Sequence, residues 1–172
     1  MVLFLLTLLT RRPGVDFNAF KEISLGSFSN KNKQTFEAEI KSGQCGENIQ
    51  YTFDETTGVL KLTGTGEMYN YANNNAPWLT GNFNVAKVVI GEGITSIGIG
   101  AFQKMETLQL VTFPSTLVIL DTGAFYLCSS LENVILPDSV DTIYEIAFFG
   151  CTALESINIP SGVSYIGQGA FG

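Results

Sequence analysis

The chain has 172 residues, 45% hydrophobic and 15% charged, a composition that supports a packed core rather than a charge-rich disordered segment. Its formal charge of −7 has the wrong sign for gripping nucleic-acid phosphates. No histidine is present, which removes serine–histidine and cysteine–histidine catalysis, histidine metal ligation and histidine pH switching, and leaves carboxylate, lysine and tyrosine chemistry open.

The chain begins MVLFLLTLLT and continues with Arg11-Arg12. This stretch is too short to span a bilayer, which takes roughly 20 residues. Its length matches the apolar part of an export signal, but the basic residues come after it instead of before it. A truncated or atypical export signal is the first reading; a buried segment or a misplaced start is the alternative. Residues 1–42 are expected to form a leader or linker. No later run reaches transmembrane length, so no membrane span is expected in the chain as given.

Residues 43–84 carry a hairpin pattern. Ile49, Tyr51 and Phe53 alternate with polar residues, Asp54–Gly58 supply a turn, and Leu60 and Leu62 resume the alternation. Such a hairpin suits a β-rich cap. Trp78, the single tryptophan, comes directly after Pro77 and is expected to pack between this cap and the segment from residue 85 onward.

From residue 85 the sequence repeats every 23 residues. Ala-Phe recurs at 101–102, 124–125, 147–148 and 170–171. Position 4 of each unit holds Val88, Val111, Val134 and Ile157, and position 6 holds Ile90, Phe113, Leu136 and Ile159. Position 7 is Gly91, then Pro114, Pro137 and Pro160; position 10 is Ile94, Leu117, Val140 and Val163; position 13 is Ile97, Leu120, Ile143 and Ile166. The units run 85–107, 108–130, 131–153 and 154–172, the last stopping at position 19; the expectation is that more repeats or a cap have been cut off, or that this is a fragmentary gene product. The alternation at positions 4 and 6 predicts a short strand, which proline then ends because it has no N–H to donate. Apolar positions 10, 13 and 17–18 suit tight turns or a helical turn. A unit this short cannot bury its own apolar side, but stacked copies can, in ladders of like residues. The four phenylalanines at 102, 125, 148 and 171 are expected to form one buried stack. The implied fold is a solenoid of short parallel strands, turns and short helical turns, preceded by a β-hairpin cap.

The unit LENVILPDSVDTIYEIAFFGCTA (131–153) resembles the 23-residue leucine-rich repeat of BspA-like surface proteins. CGENIQYTFDETTGVLKLTGTGEMYNY (45–71), with Pro77-Trp78, resembles the module that commonly precedes such repeats. The unit departs from the family pattern at Asp121 and Tyr144, where glycine is usual, and at Met105, where cysteine is usual. The resemblance implies an α/β-type leucine-rich repeat solenoid and a non-enzymatic, adhesin-like protein, extracellular or on the cell surface, that contacts host matrix proteins such as fibronectin or other cells. An intracellular, cytoplasmic interaction scaffold is the alternative.

Other chemistry is thin. Gly64-Thr65-Gly66 and Gly98-Ile99-Gly100 lack the third glycine of a dinucleotide loop and read as turns. Asp121, Glu132, Asp138, Asp141 and Glu145 lie at variable repeat positions and read as solvated surface, not as a glycosidase pair or a calcium loop. Cys45, Cys128 and Cys151 form no CxxC pair; Cys128 and Cys151 share repeat position 21, where they serve as small buried hydrophobes or, on adjacent rungs, as partners in a disulfide. No catalytic residue, metal or cofactor is expected. The candidate site is instead the outward side of the strands, at positions 3 and 5: Lys87, Val89, Leu110, Thr112, Asn133, Ile135, Ser156 and Asn158. Val89, Leu110 and Ile135 are apolar where water would be tolerated, which marks either a protein-binding face or an ordinary β surface rich in β-formers.

Overall fold

A computed structural model describes residues 39–172; the candidate export signal at 1–10 lies outside them. The hairpin forms as the alternation predicts. Strand β1 (Ile40–Asp54) turns through residues 55–58 into β2 (Val59–Met68), and the two pair antiparallel, with Phe53 opposite Leu60 and Tyr51 opposite Leu62. Asp54 closes the turn by accepting the Thr56 N–H at 2.8 Å.

Strand β2 then does two jobs. Its first half, Val59 to Leu62, pairs in parallel with β3 (Lys87–Ile90), while Gly66 and Glu67 pair with β4 (Ile94–Ile97). Between the halves the chain must turn a corner. Gly64 (φ 132°) and Gly66 (φ 91°) sit in the region that side chains avoid, and a Cβ on Gly64 would lie 1.9 Å from the Asn48 carbonyl oxygen. The glycine pair read from the sequence as a turn is this corner.

Two parallel ladders grow from β2. The first runs β2–β3–β5 (Leu110–Thr112)–β7 (Asn133–Ile135)–β9 (Ser156–Asn158). The second runs β2–β4–β6 (Ile119–Leu120)–β8 (Thr142–Ile143)–β10 (Tyr165–Ile166). First-ladder strands were expected at 88–90, 111–113, 134–136 and 157–159; all four begin one residue earlier, and the later three also end one residue earlier. Proline is the reason for the early ends. In the first repeat Gly91 stands at position 7, its N–H reaches Leu62 O at 3.0 Å, and β3 extends to Ile90; where proline replaces it, pairing ends sooner. The second ladder occupies the stretch where turns or a helical turn were expected. The α-helical turn among the described residues, Pro77–Thr80, precedes the repeats.

The remaining segment of each coil consists of turns, yet it too is laced to the next coil. Phe102 N–H donates to Ala124 O and Phe125 N–H to Ala147 O, both at 2.8 Å, and Phe148 N–H donates to Ala170 O at 2.7 Å. The inward side chains of both ladders and of this turn segment fill one core. Within it the rings of Phe102, Phe125 and Phe148 stack at 5.2 Å and are fully buried. Phe171 continues the stack 5.8 Å from Phe148 but is 40% exposed, contrary to the expected burial of all four rings, because a rung covers it from one side only.

At the other end Trp78 completes the stack 5.3 Å above Phe102, and its Nε1–H donates to Ala101 O at 2.7 Å. The indole thus supplies both the ring and the N–H that a preceding repeat would offer from its phenylalanine. Tyr51 and Tyr71 pack edge-on against it at 5.5 Å, as expected of a cap-to-repeat residue.

Two stability outcomes are expected. Phe125→Ala should destabilise by about 3–5 kcal/mol, since it empties a rung with rings on both sides, and Phe171→Ala by clearly less; chemical denaturation of both variants measures the gap. Trp78→Phe keeps a ring but strands the Ala101 carbonyl, and by the same assay should cost about 1–3 kcal/mol.

Candidate protein-binding surface

The outward positions of the first ladder fall into two columns. Val59, Lys87, Leu110, Asn133 and Ser156 stand in register in one. In the other, Lys61 pairs with Val89, Val89 with Thr112, and Ile135 with Asn158. All eight sequence candidates therefore lie on one sheet face. Successive side chains of a strand point to opposite sides, so burying positions 4 and 6 commits 3 and 5 to this face. Val59 and Lys61 extend it onto β2 and were missed, although the alternation at 59–62 carries the signal once β2 is seen to be a rung as well as half of a hairpin.

The eight are not equivalent. Ile135 is 77% exposed and Leu110 43%, whereas Val89 and Lys87 are half-buried. Leu110 sits diagonally between Val89 and Ile135, one rung from each and in the other column. Asn158 turns its amide onto the preceding rung, accepting the Leu136 N–H at 2.8 Å and donating to Leu136 O at 3.0 Å. Its Nδ2 takes the acceptor that a backbone N–H at position 7 would have reached, since Pro160 has none to offer.

Little else on the described residues resembles a reaction centre. Among them no group of three or more metal-ligating side chains converges. A cleft of about 360 Å³ beside the helical turn is lined by Trp78, Phe83, Lys104 and Glu106, among others. It holds one carboxylate, as do two smaller clefts at Glu155 and Glu47, so none carries the carboxylate pair of a glycosidase. Cys45, Cys128 and Cys151 are free and buried. Cys128 donates to Phe102 O at 3.0 Å and Cys151 to Phe125 O at 3.2 Å, the same bond one rung apart. Burial pushes the Cys45 thiol up to about 12, which keeps it protonated at neutral pH. The neighbouring Cys151 thiol, and then burial, raise Cys128 as well.

On the second ladder, Tyr165 Oη donates to Glu145 Oε1 at 2.7 Å. This bond is the main cause of a Glu145 carboxyl held below its ordinary 4.5.

Residues 79–172 match the family model described as BspA type leucine rich repeat region (6 copies). The chain belongs to the BspA-type leucine-rich repeat family. Its repeats are thus of a protein-binding kind. The fold is similar to that of a leucine-rich repeat protein from Eubacterium ventriosum, with a TM-score of 0.62 and 24% identity over 74% of this chain and 40% of the other. A leucine rich cell surface protein from Faecalibacterium prausnitzii is 28% identical, with a TM-score of 0.55, over 73% of this chain and 35% of the other. The chain therefore spans less than half the length of either. No curated protein matches the sequence.

The pH dependence of the Glu145 contact has a defined sign. A lowered folded pKa means the contact stabilises the BspA-type coil above the ordinary carboxylate range and is lost as pH falls through the lowered value. Tyr165→Phe should move the Glu145 pKa up toward 4.5, and the stability difference between the two proteins should shrink in acid. Carboxyl-carbon NMR titration checks the first, denaturation at several pH values the second.

Proposed function

We propose that this chain is a non-enzymatic protein-binding module of a secreted or cell-surface protein, adhesin-like in role, and that the outward face of its first ladder holds the partner. Lys87, Val89, Leu110, Thr112, Asn133, Ile135, Ser156 and Asn158 form that face, and Val59 and Lys61 extend it. The observation that carries the reading is the exposure of Ile135 and Leu110 on strands whose alternate residues are locked in the core. Rigid backbone with greasy side chains in water is what a protein interface needs, since ordering costs are met on folding. The likeness to a leucine rich cell surface protein supports the location. A partner of matrix or cell-surface type fits that location.

An intracellular scaffold is the second reading, favoured by three free thiols in a chain with no disulfide among the described residues. Surface labelling of cells that make the natural gene product separates the two locations.

The face itself is tested by Leu110→Ser with Ile135→Ser, set against Asp138→Ser at a turn. Binding to an immobilised panel of matrix and cell-surface proteins should weaken by more than about 1 kcal/mol, roughly five-fold, in the double variant and stay level in the control. Unchanged binding by a folded double variant overturns the assignment.

A further inference from the structure

The second ladder has an outward face of different character. Its position-12 column reads Glu67, Ser96, Ile119, Thr142 and Tyr165 in register, with Asp121, Tyr144 and Glu145 just beyond it. The Tyr144 and Tyr165 rings lie 5.6 Å apart, both with more than a third of their surface in water. Three carboxylates occupy neighbouring positions on these coils and the one before. Glu145 is anchored by Tyr165 and, at 3.4 Å, by the Thr122 hydroxyl; Asp121 accepts the Thr122 N–H at 2.7 Å and Asp141 the Thr142 hydroxyl at 2.8 Å. Each of these bonds orients a carboxylate without neutralising it. Among the described residues none of the three is in a salt bridge, and the sequence places seven carboxylates and no lysine or arginine after Lys104.

We propose that this acidic, aromatic face binds arginine side chains in a basic segment of a partner protein. The chemistry distinguishes arginine from other cations. A guanidinium can lie flat on a tyrosine ring and hydrogen-bond a neighbouring carboxylate in the same pose, whereas an ammonium is a compact, strongly hydrated charge that gains less from the ring. Two rings and three oriented carboxylates on adjacent rungs accommodate more than one such side chain from an extended segment. The uncompensated negative charge of the surrounding coil attracts that segment over a distance of about one Debye length, roughly 8 Å at physiological salt. This face is separate from the face of Leu110 and Ile135, and the two can be tested independently.

The probe is a Gly-Arg-Gly-Arg-Gly-Arg peptide, followed by NMR of the tyrosine rings and by calorimetry, beside its lysine counterpart. The arginine peptide should shift the Tyr144 and Tyr165 ring signals saturably and bind at least three-fold more tightly than the lysine peptide. Its affinity should drop at least five-fold in Tyr144→Ala and in Glu145→Gln, recover in Tyr144→Phe, and stay unchanged in the Leu110→Ser, Ile135→Ser double variant. Equal binding of both peptides, or binding indifferent to Tyr144, reduces the face to diffuse charge and overturns the proposal. So does the absence of saturable binding by a folded protein.

Discussion

A coil of 23 residues cannot satisfy its own backbone. It is too short to fold into a helix pair or a sheet of its own, so the partners of its N–H and C=O groups must come from the coil beside it. Everything else in this molecule depends on that requirement. Bonds between coils occur on all three sides: in the first ladder, in the second, and along the turns from Phe102 through Phe148. Because the bonds repeat at one spacing, so must the side chains, and the stack of phenylalanines is the apolar counterpart of the hydrogen-bond ladder.

Side chains join the backbone in bonding one coil to the next. Pro160 has no N–H, and the Asn158 amide reaches Leu136 O in its place. Trp78 replaces a backbone donor with its indole N–H. Thr116 Oγ1 and Ser139 Oγ reach back to Ile94 O and Leu117 O at 2.9 and 2.6 Å. These are the positions where a substitution that preserves size but removes a polar atom has consequences for two coils at once.

Much of this was legible in the sequence, and the physical reason is redundancy. A strand read once is a guess; Val88, Val111, Val134 and Ile157 at one spacing fix both the strand and its parallel partner. The hairpin was legible from a single copy because alternation on both arms flanks a glycine turn. What escaped is what occurs without repetition or leaves no apolar mark. The second ladder has only two paired residues per rung, too few to show alternation. The role of β2 as a rung was hidden because its sequence obeys the hairpin, and the repeat becomes legible only after it. Repeat position 16 is left-handed throughout, which Gly100, Gly123 and Gly169 announce, but Ile146 adopts the same conformation at φ 49°. There the bonds to neighbouring coils over-determine a backbone that a β-branched residue disfavours. The candidate face was legible as a set of positions, since burial of positions 4 and 6 dictates it. The differences among its members, from the exposed Ile135 to the engaged Asn158, depend on neighbouring rungs and were not.

The corner at Gly64 and Gly66 has a kinetic meaning. Closing the hairpin joins residues a few positions apart, whereas closing any later coil must bring together residues 23 apart, with a larger loss of chain entropy. The hairpin therefore closes at a lower entropic cost than any later coil, and its second strand already presents both ladder edges. A chain that forms it first receives a template, and each later coil then adds onto a finished edge instead of searching for a partner. In that order assembly would run from the hairpin toward the later coils, a direction that the repeats alone do not specify.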